Sequence, residues 1–86
     1  QSAVVTDTGA GYSPPTIRLR RNVPARITFV RTSEVICGAE VVFPALGIRR
    51  ELPLNTPVVI RFTPRKTGAL SFACGMDMWH GKVVVR

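Results

Sequence analysis

Apolar and polar residues alternate in short runs along most of the chain, and segments rich in glycine and proline separate the runs. The alternation is visible in "TIRLR", "ARITFV", "VVIRF", "ALSF" and "KVVV". It is typical of half-buried β-strands, in which successive side chains point to opposite faces of a sheet. The separators "GAGYSPP", "FPALG", "LPLNTP" and "TPRKTG" recur at short intervals, and no convincing helical stripe is present. The pattern therefore predicts an all-β sandwich or barrel.

The predicted strands are short, and a chain of 86 residues fits one domain that spans residues 1–86. Two small sheets that face each other are the economical arrangement for such strands, and we expect the strands to run antiparallel. They are predicted at approximately residues 3–7, 16–20, 25–31, 40–43, 50–53, 57–63, 69–74 and 81–86.

Composition and charge narrow the class of protein. Hydrophobic residues make up 45% of the chain, which is normal for a globular core, and no apolar run reaches the roughly 18 residues of a membrane span. The net charge of +7 is carried mostly by arginine. It indicates either a solvated basic face or docking to an acidic partner or a membrane surface. Basic residues alternate with aliphatic rather than aromatic ones, which argues against a nucleic-acid partner.

Catalytic arrangements are not visible in the sequence. The single histidine, His80, has its nearest carboxylate three residues away, at Asp77, in a predicted loop. The serines have no neighbouring His–Asp arrangement, and there is no glycine-rich phosphate loop. We therefore expect that the protein is not an enzyme.

Soft sulfur ligands cluster just before the last predicted strand, in "CGMDMWHG". If this segment is extended, Cys74, Met76 and Met78 alternate onto one side of the chain, and Gly75 permits a tight bend that brings the sulfurs closer. Thiolates and thioethers favour Cu(I), whereas calcium and magnesium need oxygen ligands. The competing interpretation is that the methionines plug the end of the core, but they flank Asp77 between two glycines, where a loop is favoured.

The second cysteine, Cys37, precedes an apolar strand that begins near Glu40. Three interpretations of the two cysteines stay open. One is a structural disulfide. In the second, both are reduced: Cys37, Glu40 and Cys74 hold one ion, while a shared thiolate and the methionines hold another. The third is a zinc site that adds His80 to those three residues and leaves both methionines without a role.

His80 has two candidate roles of its own. It is either a ligand or a hydrogen-bonding residue at the mouth of the loop beside Trp79. The second role is favoured.

Two segments, "CGAEVVFPALGIRRELPLN" and "GALSFACGMDMWHGKVVV", resemble the cupredoxin fold family. Within it, the match is to the cupredoxin-like domains of CupA-type Cu(I) chaperones and to those at the N-terminus of some copper-exporting P-type ATPases. The resemblance covers roughly residues 15–86 and rests on Cys-x-x-Glu before "VVFP" and on Cys-Gly-Met-x-Met before the last strand. It implies a cupredoxin-like Greek-key β-sandwich of two small sheets with seven to eight strands.

The same resemblance implies a site for two Cu(I) ions that share a cysteine thiolate. The first position corresponds to Cys37, Glu40 and Cys74, and the weaker second position to Cys37, Met76 and Met78. Blue-copper electron carriers of the fold instead use two histidines, a cysteine and a methionine, and no histidine precedes "VVFP" here.

The implied function is Cu(I) binding for copper chaperoning, sequestration or delivery to a copper exporter. The expected partner is a copper-transporting P-type ATPase or another copper-binding protein. We expect a monomer associated with a membrane through a segment outside this sequence, with the cytoplasmic face favoured over a periplasmic or extracellular location. Two alternatives stay open: an electron-transfer cupredoxin that uses Cys74, His80 and a methionine, and a disulfide-bonded β-sandwich that serves only in protein interaction.

Overall fold

The computed structural model describes residues 1–35 and 39–86. Cys37, one of the predicted ligands, lies outside the described residues. Those residues form nine strands and a 3-10 turn, and they include no helix long and apolar enough to cross a membrane. The strands are β1 (Ser2–Asp7), β2 (Tyr12–Ser13), β3 (Thr16–Leu19), β4 (Ala25–Arg31), β5 (Glu40–Phe43), β6 (Ile48–Glu51), β7 (Val58–Phe62), β8 (Gly68–Cys74) and β9 (His80–Val85), and the 3-10 turn spans Pro44–Leu46.

The strands form two sheets, with the order β2-β1-β4-β7 in one and β3-β9-β8-β5-β6 in the other. The predicted all-β, two-sheet architecture is confirmed. Two pairings are parallel, β1 with β4 and β3 with β9, so the expectation of purely antiparallel sheets is wrong. Alternation shows which side chains face the core but not the direction of a neighbouring strand. One strand more than the expected seven to eight is present, because the separator "GAGYSPP" contains the two-residue β2.

The core is built from the apolar residues of the alternating runs, and both sheets contribute to it. Ile27 and Phe29 are fully buried, as their alternation predicts. The buried ring of Phe72 contacts the rings of Tyr12, Phe29 and Phe43, at centroid distances of 5.0, 5.4 and 5.2 Å. Such aromatic pairs contribute about 0.5–1.5 kcal/mol each beyond their buried area. This cluster therefore helps to fix how the sheets pack.

The hairpin of β5 and β6 differs in position from the prediction. β6 begins at Ile48 rather than at residue 50, because Gly47, which directly follows the 3-10 turn, has a φ of 64° and reverses the chain direction. Glycine adopts this left-handed conformation without steric cost. In the resulting register Glu40 faces Glu51, so Arg49, two residues before Glu51, lies diagonally across from Glu40.

The sandwich has two ends that carry different segments. β8 runs from Gly68 to Cys74, and β9 returns from His80 to Val85. We call the end with Cys74 and His80 the loop end, and the end with Gly68 and Val85 the far end. The seven residues of β8 span roughly 20 Å at about 3.4 Å per residue, and the molecule measures 35 × 21 × 20 Å along its principal axes.

One carboxylate is buried, at the end of β1. Asp7 has no exposed surface, and its Oδ1 accepts the N–H of Gly9 at 3.3 Å. Its Oδ2, and the hydroxyl of the facing residue Tyr12, have no hydrogen-bond partner in the described part of the chain. Burial raises the pKa of Asp7, while the Gly9 N–H and the positive charge of Arg31 partly oppose the shift.

Candidate metal centre

The segment after β8 folds as a tight turn that begins at Cys74. The N–H of Asp77 donates to the Cys74 carbonyl at 2.9 Å, and the N–H of Cys74 donates to the Trp79 carbonyl at 3.0 Å. Asp77 has a positive φ of 58°, a conformation that aspartate tolerates better than most residues. The turn therefore returns the chain to β9 within five residues, 75–79.

The sulfur of Cys74 is buried beneath this turn. Cys74 is only 2% exposed, and its Sγ accepts the N–H groups of Met78 at 3.2 Å and Trp79 at 3.3 Å. Hydrogen bonds to the charged form of a group stabilise that form, so the two amides favour a thiolate at a site with little water. Cys74 is disulfide-bonded in this structure, and its reduced form is the one that offers a thiolate to a metal.

Trp79 links the turn to the aromatic core. It is half-buried and packs against the core, and its ring meets that of Tyr12 edge-on at 6.3 Å between centroids. Tyr12 in turn contacts Phe72. The backbone amide that Trp79 presents to the Cys74 sulfur is thus held by side-chain packing as well as by the turn.

Glu40, at the start of β5, lies against the turn. The N–H of Gly75 donates to the Glu40 carbonyl at 3.2 Å, because β5 pairs with β8 so that Val41 faces Cys74. The carboxylate covers Gly75: a β-carbon on Gly75 would lie 2.3 Å from Glu40 Oε1, far inside contact distance. Two residues separated by 34 positions in sequence, Glu40 and Cys74, are therefore neighbours at the loop end.

Arg49 pairs with the Glu40 carboxylate and was not identified from the sequence. Its Nη1 donates to Glu40 Oε1, and both side chains are partly exposed. Glu40 also faces Glu51 directly across the hairpin. Carboxylates in that position repel each other, and the arginine offsets the repulsion. The signal that could have identified this pair is the hairpin register, which depends on the sharp return at Gly47.

The two methionines are exposed on the loop rather than packed in the core. Met76 is 59% exposed and Met78 is 67% exposed, so the interpretation that they plug the core is wrong. The segment is also not extended, because residues 75–79 form turns and bends. The thioethers therefore share the loop with Cys74 without the regular strand alternation considered from the sequence.

His80 begins β9 and points to the outside of the turn. Its Nε2 lies 3.0 Å from the carbonyl oxygen of Asp77 and 3.6 Å from the carboxylate of the same residue. The ring is more than half exposed. His80 therefore makes a polar contact with Asp77 at the mouth of the loop.

The predicted ligands that the structure describes lie at one end of the sandwich. Glu40, Cys74, Met76 and Met78 all lie at the loop end, while Cys37 is outside the described residues. Within residues 1–35 and 39–86, His, Cys, Asp and Glu side chains form no group of three or more that would hold a metal by themselves. A surface depression of about 500 Å³ opens beside the turn, and Arg31, Glu40, Glu51, Gly75 and Met76 line part of it.

The sequence of this chain matches the family described as cupredoxin-like domain over residues 1–85. The chain belongs to the cupredoxin-like family. Solved structures agree with the assignment, and the predicted fold family is confirmed. No curated protein sequence matches the chain significantly.

Two solved structures resemble this cupredoxin-like domain along its whole length. The metal-binding domain of the Cu(I)-exporting P-type ATPase CopA of Streptococcus pneumoniae D39, determined with Cu(I), is 36% identical with a TM-score of 0.96, and the match covers 100% of this chain and 85% of that chain. A copper binding protein in its apo form is 43% identical with a TM-score of 0.93, covering 100% and 87%. An amicyanin mutant shares the fold, with 21% identity, a TM-score of 0.71 and coverage of 99% and 82%.

The donor atoms of this cupredoxin-like domain fit a soft monovalent ion. A buried sulfur that accepts two amide hydrogen bonds, two exposed thioethers and one carboxylate lie on adjoining segments. Thiolates and thioethers are the protein ligands that select Cu(I). Calcium and magnesium require six or more oxygen donors or several waters, which the described residues of this turn do not supply.

Proposed function

We propose that this domain binds Cu(I) as cargo and serves in copper chaperoning, sequestration or delivery to a copper exporter. The observation that carries the proposal is the placement of the Glu40 carboxylate over Gly75, the residue that directly follows the buried Cys74. A carboxylate brought against the turn that holds a soft sulfur donor has a clear use as a third ligand. Relatives at 36% and 43% identity whose names refer to Cu(I) export and copper binding support the same function.

The proposed first position uses Cys74, Glu40 and Cys37 in the reduced protein. Its contacts support a thiolate on Cys74, since the amides of Met78 and Trp79 already point at the sulfur. The carboxylate of Glu40 also pairs with Arg49 through Oε1, so the arginine competes with a bound ion for that oxygen.

The proposed second position uses the two methionines and shares the thiolate of Cys37. Exposed thioethers are neutral, weak donors, so this ion is bound less tightly than the first. Their exposure also supports a role in transfer, because an acceptor protein can approach Met76 and Met78 without any rearrangement of the core. Exchange of ligands one at a time moves Cu(I) without release to solvent.

Electron transfer is the alternative function, and the position of His80 argues against it. Copper that cycles between two oxidation states in this fold is held by two histidines. His80 is the only histidine of the chain, and its ring is turned towards the carbonyl of Asp77 rather than towards the Cys74 sulfur. A site rich in sulfur and poor in nitrogen stabilises Cu(I) rather than Cu(II).

The proposed partner and location are based on the similarity to the ATPase domain. A copper-transporting P-type ATPase, or another copper-binding protein that exchanges metal with it, is the proposed partner. The proposed location is at a membrane, on its cytoplasmic face, where thiols stay reduced. We propose a monomer without enzymatic activity and without a nucleic-acid partner.

The test is a comparison of Cu(I) and Cu(II) binding by the fully reduced protein. We expect tight Cu(I) binding in competition with a Cu(I) chelator and no intense thiolate-to-copper band after addition of Cu(II). An intense visible band would support the electron carrier instead. No binding of either ion, even after reduction of the disulfide has been verified by thiol titration, would support the interaction domain.

A further inference from the structure

Positive charge is concentrated at the far end of the sandwich, away from the proposed copper ligands. Seven of the 12 lysines and arginines lie there, and none of the five carboxylates does. The remaining five cations equal the five carboxylates in number, so the far end accounts for the whole net charge of +7. The far-end cations are Arg20, Arg21, Arg26, Arg61, Arg65, Lys66 and Arg86.

Backbone hydrogen bonds gather these cations from three separate segments. The N–H of Arg21 donates to the carbonyl of Arg86 at 2.8 Å, which joins the segment after β3 to the end of β9. The N–H of Asn22 donates to the carbonyl of Pro64 at 2.6 Å and joins the same segment to the one after β7. The seven cations therefore share one end of the sandwich, which we call the basic end.

The side chains of the basic end are exposed and unneutralised. All seven are exposed, and no described carboxylate forms an ion pair with any of them. Arg26 and Arg61 face each other directly across β4 and β7. Like charges in directly opposed positions of a sheet are destabilising. The opposed arginines therefore cost stability in the isolated domain. An anionic surface that supplies the missing counter-charges would remove this repulsion.

The shape of the basic end fits separate phosphate groups. One depression of about 540 Å³ is bordered by Arg26 and Arg61, and another of about 350 Å³ by Arg65 and Lys66. The planar guanidinium group binds phosphate through two parallel hydrogen bonds. The basic end also carries two exposed apolar residues, Val23 and Pro24.

We propose that the basic end binds the surface of a membrane that contains anionic phospholipids. Cations spread over an end about 20 Å across, around two separate depressions, match several independent headgroups better than one acidic peptide. Nucleic acid is disfavoured, because the six Phe, Tyr and Trp side chains of the described residues are buried or only partly exposed, which limits stacking on bases. Each lysine or arginine near an anionic membrane contributes about 1 kcal/mol of attraction, so seven provide substantial binding.

This orientation has a functional consequence. With the basic end on the membrane, Cys74, Met76 and Met78 lie at the opposite end, roughly 20 Å away along β8. The metal-binding loop then points away from the lipid and stays accessible to a metal donor or acceptor. The inference does not depend on which metal the loop binds.

The test uses sedimentation of the whole chain with vesicles of phosphatidylcholine alone and with vesicles of phosphatidylcholine and phosphatidylglycerol in equal parts. We expect binding only to the anionic vesicles, weakened by added salt. Arg26→Gln with Arg61→Gln should reduce the partition coefficient roughly thirtyfold, and should not destabilise the fold because it removes a repulsive pair. The matched control, Arg50→Gln with Lys82→Gln, removes the same charge elsewhere and should change binding much less.

Equal losses in the two double variants would overturn the assignment to the basic end, because net charge alone would then explain binding. Absence of binding to anionic vesicles would overturn the proposal outright, as would binding to duplex DNA or polyglutamate without binding to vesicles. Chelator competition on the same variants measures Cu(I) affinity separately. A protein that binds Cu(I) but no vesicles would leave the proposed copper function intact.

Discussion

The carboxylate of Glu40 lies so close over Gly75 that any β-carbon on Gly75 would sit 2.3 Å from its Oε1. Gly75 does not have a positive φ, so its lack of a side chain serves this close approach rather than an unusual backbone conformation. The contact joins the start of β5 to the turn after β8. It is the relationship on which the proposed first copper position depends.

Gly75→Ala should therefore weaken Cu(I) binding by displacing the Glu40 carboxylate. We expect a loss of roughly 10- to 100-fold in affinity, the usual effect of disturbing the residues that orient a ligand. Chelator competition measures it. The matched control is the same substitution in a Glu40→Ala background, where no carboxylate remains to be displaced and the extra loss should nearly vanish. An equal loss in both backgrounds would show that the alanine acts through the turn.

Arg49→Gln should strengthen Cu(I) binding slightly. It removes a positive charge close to the proposed ion and leaves Glu40 Oε1 without a competing partner. The gain should not exceed about fivefold, since exposed ion pairs contribute up to about 1 kcal/mol. Arg50→Gln, on the opposite face of the same strand, serves as the control and should leave the affinity unchanged. A marked loss of affinity in Arg49→Gln would mean that the arginine is needed to position the carboxylate.

Met76→Leu combined with Met78→Leu should remove only the weaker ion. Leucine keeps the volume and apolarity of methionine, and both positions are exposed, so the melting temperature should hardly change. A Cu(I) titration should then end at one equivalent instead of two, and transfer to an acceptor should slow. Retention of two equivalents would exclude the thioethers from the second position.

Asp7→Asn should change how stability depends on pH. Burial raises the pKa of Asp7 above its ordinary value of 3.8, so the folded state keeps this proton after the unfolded chain has lost it. The contribution of Asp7 to stability is complete below 3.8 and declines as pH rises through the folded-state pKa. Urea unfolding across this range measures the free energy of unfolding. We expect this free energy to increase for Asp7→Asn relative to the wild type as pH rises. If the variant instead became less stable relative to the wild type as pH rises, the charge of Arg31 would have a larger effect on the pKa of Asp7 than burial does.

The sequence predicts the strands and the sulfur loop well, because both signals are local. Alternation identified the buried faces of Ile27 and Phe29, and the glycines that flank Met76 and Met78 indicated a loop after Cys74. These patterns extend over a few residues and do not require knowledge of strand pairing.

Pairing between distant segments could not be predicted in the same way. The parallel pair of β3 with β9 and the early start of β6 depend on how the whole chain packs. The ion pair of Arg49 with Glu40 follows from that register, and the concentration of charge at the basic end follows from which loops meet there. The two arginines of β4 and β7, Arg26 and Arg61, look unremarkable in sequence until the register places them opposite each other.

The central claim is that the sulfur of Cys74, with Glu40 beside it, holds Cu(I). Chelator competition on the reduced wild type, Cys74→Ser and His80→Ala tests it most directly, with circular dichroism to confirm that each variant is folded. We predict tight Cu(I) binding by the wild type and only a small change in affinity in His80→Ala. Cys74→Ser should lose tight binding, and Cys37→Ser should do the same. Loss of the tight ion in His80→Ala with retention in Cys74→Ser would contradict the account and assign the site to nitrogen ligands.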